Sequence, residues 1–89
     1  MKNFEQIEQL ETAISRLKRS QIAVVEAHMV LQEIMNAEPE KEPYGYAKAL
    51  GCCQGKAIWP HIRLQSEILS MDAVINTLSA MLASAEEEN

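Results

Sequence analysis

The chain has 89 residues, a formal charge of −5 and 47% hydrophobic residues, with three glycines, three prolines and 4% aromatics. That length holds one domain with a small core, a size often helped by self-association, and so few aromatic and turn-forming residues argue against a β-sandwich or barrel. An acidic balance disfavours a general nucleic-acid binder, whose affinity comes from lysine and arginine on phosphates, while the apolar fraction is too high for disorder.

Residues 3–36 contain no proline or glycine. Ile7, Leu10, Ile14, Leu17, Val24, Leu31 and Met35 recur at alternating steps of three and four, interrupted by Gln21 and His28. This heptad pattern predicts a single helix about 50 Å long. Arg16, Lys18 and Arg19 form the one basic cluster, but Glu8 and Glu11 flank it, so it reads as a solvated helix face. Glu5, Glu8 and Glu11 recur every three residues and are solubilising unless a cleft perturbs one of them.

Residues 37–44 hold Pro39 and Pro43 among four charged residues. Each proline removes a backbone donor and pushes the preceding residue out of the α region, so the first helix ends near Asn36. A connection this short makes the flanking helices antiparallel neighbours.

Over residues 45–86 the stripe resumes: Ala47, Leu50, Gln54, Ala57, His61, Leu64, Ile68, Met71, Ile75, Leu78, Leu82 and Ala85. It keeps phase through Pro60, which predicts one helix kinked at 59–60 rather than two helices, although a break with Pro60 in the first turn of a new helix is the alternative. Glu86, Glu87 and Glu88 sit at the unfavourable end of the helix dipole and are expected to fray.

The expected fold is all-α, a long antiparallel, coiled-coil-like hairpin. A turn near residue 40 pairs residues whose numbers sum to about 81, placing Gln21 opposite His61 and His28 opposite Gln54 as two buried polar layers that satisfy each other. Small residues at Ala47, Gly51, Gly55 and Ala57 would allow the close packing this register needs. A second stripe, Ile58, Ile62, Leu69 and Ala73, lies beside Ile22, Val25 and Met29. Between Ile22 and Met35 the first helix is apolar nearly all round. Two adjoining apolar stripes predict an association surface, most simply a twofold dimer completing a four-helix bundle.

Little in the chain suggests chemistry. In the sum-81 register His28 and His61 stand one heptad apart, too far to share a metal ion, and they read as core histidines bonded to glutamine. Cys52 and Cys53 are adjacent, so they imply reduced thiols and a cytoplasmic setting rather than a disulfide framework. No signal peptide follows Met1, and no unbroken apolar run reaches membrane-spanning length. Gly51-x-x-x-Gly55 lacks the strand and the lysine of a phosphate loop. Trp59, off the main stripe, is either a recognition anchor or packed under a dimer partner.

The resulting expectation is a non-enzymatic helical interaction protein without cofactor or metal. It would modulate a protein partner as a homodimer through Ile22, Val25, Met29, Ile58, Trp59, Ile62 and Leu69. The alternative is a small acidic phage-type inhibitor of a nucleic-acid-handling or defence machine, with carboxylates imitating nucleic acid. Neither nucleic acid nor membrane is expected as a partner.

Overall fold

The computed structural model describes residues 4–88. Helix α1 spans Phe4–Asn36, a 3-10 turn spans Pro39–Lys41, and helix α2 spans Tyr44–Glu88. The two long helices pack against each other along their length as an antiparallel hairpin measuring 70 × 15 × 15 Å. Its radius of gyration is 20.0 Å, against about 12 Å for a compact domain of this length. Forty-five residues at about 1.5 Å each account for the long axis.

Every stripe position from Ile7 to Met35 and from Ala47 to Ala85 is buried or half-buried, and most residues between them are exposed. Ile14, Ala57 and Ile75 are the buried hydrophobic residues among those described. The periodicity therefore identifies the seam correctly, but a single seam hides few side chains completely.

The register differs from the expected one by a full heptad. His28 meets His61, Gln21 reaches Ile68 and Asp72, and Gln54 reaches Ile34, Met35 and Ala37. Facing residues thus have numbers that sum to about 89, whereas the expected pairs Gln21–His61 and His28–Gln54 sum to 82. The cause lies in the connector. Glu38 and Glu42, each preceding a proline, are extended, at φ −104°, ψ 103° and φ −102°, ψ 154°, as the ring of a following proline requires. The chain therefore climbs before it turns back, and Tyr44–Cys53 runs about 15 Å past the end of α1. Gly51 and Gly55 have open space where a Cβ would stand, so they do not serve close helix packing.

Helix α2 passes through Pro60 without a break. Pro60 and Lys56 are both exposed, so the Lys56 carbonyl that loses its helical donor lies on a solvent-facing stretch, where water can replace the bond. The glutamate tail remains helical to Glu88 rather than fraying. By length and composition alone Tyr44–Glu87 would suffice to cross a membrane, an 18-residue stretch of it having a mean hydropathy of 1.4. Part of its apolar surface forms the stripe against α1, while Ile58, Trp59, Ile62, Leu69, Val74 and Met81 are exposed alongside Lys56, Arg63, Glu67 and Asp72.

Candidate interaction face

Each helix contributes two rows of residues to the seam. One row is wholly apolar: Leu10, Leu17, Val24 and Leu31 on α1, with Leu50, Ala57, Leu64, Met71 and Leu78 on α2. The other row contains all four polar interruptions, Gln21, His28, Gln54 and His61. Residues one and four positions after this second row lie outside it on the same side of each helix. In an antiparallel pair those two sides adjoin.

That side of the hairpin carries the residues singled out by the second stripe. Ile22, Val25 and Met29 from α1 lie alongside Ile58, Ile62 and Leu69 from α2, and Trp59 stands at the rim, three residues before Ile62. Val25 is half-buried, and the other six are between 50% and 69% exposed. In the observed register the patch runs from Leu69 and Ile22 to Met29 and Ile58, about 17 Å along the axis. The opposite side differs. Val30, Val74 and Met81 are exposed there, but they are dispersed among Arg16, Lys56, Arg63 and Glu67, and Arg63 pairs with Glu67 at 3.7 Å.

The predicted polar layers do not form as expected. Gln21 does not meet His61; its Nε2 donates to the Ile68 carbonyl at 3.3 Å and to Asp72 Oδ1 at 2.5 Å. His28 does not meet Gln54, whose Nε2 instead lies 2.7 Å from the Ala37 carbonyl, 3.0 Å from that of Ile34 and 3.4 Å from that of Met35. The carbonyls at a helix C-terminus lack internal donors, so Gln54 acts as a side-chain cap for α1. The histidines are not a heptad apart. Their rings stack with centroids 4.2 Å apart, His61 Nε2 donates to Gln32 Oε1 at 2.6 Å, and His28 Nε2 is buried without a partner.

Gln32 and Asp72, which the sequence pattern does not single out, bond to the seam residues His61 and Gln21. Each lies four residues after a seam position, His28 and Ile68, and so on the side of the seam that bears the patch; the correct register would have identified both.

Glu5, Glu8 and Arg16 line a shallow concavity on α1 alone, and Arg16 and Arg19 line another with Glu11. Cys52 and Cys53 are free and exposed. Among the described residues, no three His, Cys, Asp or Glu side chains are grouped to hold a metal ion. Compared with known protein families, curated proteins and solved structures, the chain matches none of them.

Proposed function

We propose that this chain is a non-catalytic helical interaction protein that binds and modulates a protein partner, and that it does so as a homodimer. Two hairpins pack through Ile22, Val25, Met29, Ile58, Ile62 and Leu69 into a four-helix bundle, and Trp59 at the rim anchors the partner. The observation that carries this reading is the contiguous cluster of exposed apolar side chains on one side of the seam. A water-exposed patch of this kind is a liability for a lone hairpin and an asset for a subunit.

The exposed surface supports the same reading. At 6679 Å² it is about 1,400 Å² larger than a compact monomer of this mass would show. A standard interface removes roughly 800 Å² from each partner, so one twofold contact would bring the chain towards the ordinary range. The reading of a protein partner rests on the acidic balance of the chain, with Arg16, Lys18 and Arg19 flanked by Glu8 and Glu11, and on the exposed apolar cluster beside the seam.

The test is light scattering across concentration, combined with capture of partner proteins by wild type and by Trp59→Ala. A dimer that survives Trp59→Ala while a captured protein is lost supports both halves. A monomer at high micromolar concentration refutes the dimer. Equal capture by the variant removes Trp59 from partner binding.

A further inference from the structure

At mid-length the seam holds two rings in place of aliphatic side chains. His28 and His61 stack at 4.2 Å with their planes inclined by 27°. An amide oxygen only accepts, so the bond to Gln32 Oε1 puts a hydrogen on His61 Nε2. His28 Nε2 is buried and has no partner. The positions one turn away are uncharged: Val24, Val25, Leu31 and Gln32 on α1, and Ala57, Ile58, Leu64 and Gln65 on α2. Charged residues at this level, Glu26 and Glu33 on α1 with Lys56, Arg63 and Glu67 on α2, are exposed on the outer faces, where Arg63 and Glu67 pair with each other.

We propose that this stack is an acid-operated latch: the hairpin closes around His28 and His61 while the rings are not both charged, and parts at mid-length when each carries a proton. An imidazolium bears hydrogen on both nitrogens. In the closed hairpin that places an N–H at His28 Nε2 where no acceptor waits, a costly arrangement for a buried donor. Two positive rings stacked at this distance also repel, and no carboxylate faces them to compensate. His61 alone charges without losing its bond, because Nε2 already donates to Gln32. The direction follows: the latch is intact while at most one ring is charged, and it weakens as acidification charges both. It is a property of one chain and does not depend on what the apolar face binds.

Thermal unfolding of the intact chain, followed by circular dichroism at about pH 7.5 and about pH 5, tests the latch. His28→Gln and His61→Gln provide the comparison, since both keep every carboxylate that also titrates on acidification. The wild-type midpoint is expected to fall at least twice as far as that of either variant, and an equal fall in all three would overturn the latch. If His28→Gln does not fold, His28→Phe keeps a stacking ring with no titrating nitrogen and gives the same comparison. A wild-type NMR titration in which both rings become charged with no loss of helical signal would overturn it equally.

Discussion

The two sides of the hairpin are built from the same helices and share the same seam, yet they treat water differently. On one side Arg63 and Glu67 pair, and Lys56 and Arg16 separate the exposed Val30, Val74 and Met81 from one another. On the other, Ile22, Met29, Ile58, Ile62 and Leu69 adjoin, with Asp72 at the edge of the cluster, where Gln21 donates to it. Single exposed hydrophobic residues are ordinary on a soluble surface, whereas contiguous ones mark a contact. The contrast teaches that helix propensity and the seam account for the hairpin, but not for where the remaining apolar residues are placed.

Four variants press on that contrast. The largest expected effect comes from Met29→Glu combined with Ile62→Glu. If each side chain is buried between subunits at a worth of roughly 1.5–3 kcal/mol, self-association weakens more than about a hundredfold, while the helical signal of the hairpin stays. Sedimentation equilibrium reads this directly. Next, Ile14→Ala removes one of the few buried seam side chains and is expected to cost about 2–4 kcal/mol of unfolding free energy through a cavity that two helices can only partly close. Denaturant titration measures it, and a cost near zero would mean that the seam does not hold the hairpin.

Smaller effects sharpen the picture. Gln54→Ala leaves the Ile34 and Ala37 carbonyls without their side-chain donor, an expected loss of about 1–2 kcal/mol, with faster amide exchange confined to the last turn of α1. Arg63→Ala on the charged side breaks an exposed pair and is expected to change stability by less than about 0.5 kcal/mol, with no change in mass in solution. A large effect of Arg63→Ala on self-association would move the interface to the side now read as solvated.

The sequence made the seam legible down to individual residues, because burial against one neighbour imposes a period of three and four that survives even Pro60. It did not make the register legible. A heptad pattern maps onto itself after a shift of seven, so Gln21 with His61 and Gln21 with Ile68 satisfy the same stripe equally well. The choice between them is made by the extended Glu38 and Glu42, which carry the chain upward before it turns. That shift turned two separate polar layers into a histidine stack, and it hid Gln32, Asp72 and the capping role of Gln54. The patch residues were legible because membership of one side depends on the phase within each helix and not on the register between them.

The most direct measurement is the mass of the unmodified chain by multi-angle light scattering from low to high micromolar concentration. The proposed dimer predicts a mass that rises to twice the 10.0 kDa of one chain, and a return to the single-chain value in the Met29→Glu, Ile62→Glu variant. A wild type that stays at the single-chain mass throughout would contradict it.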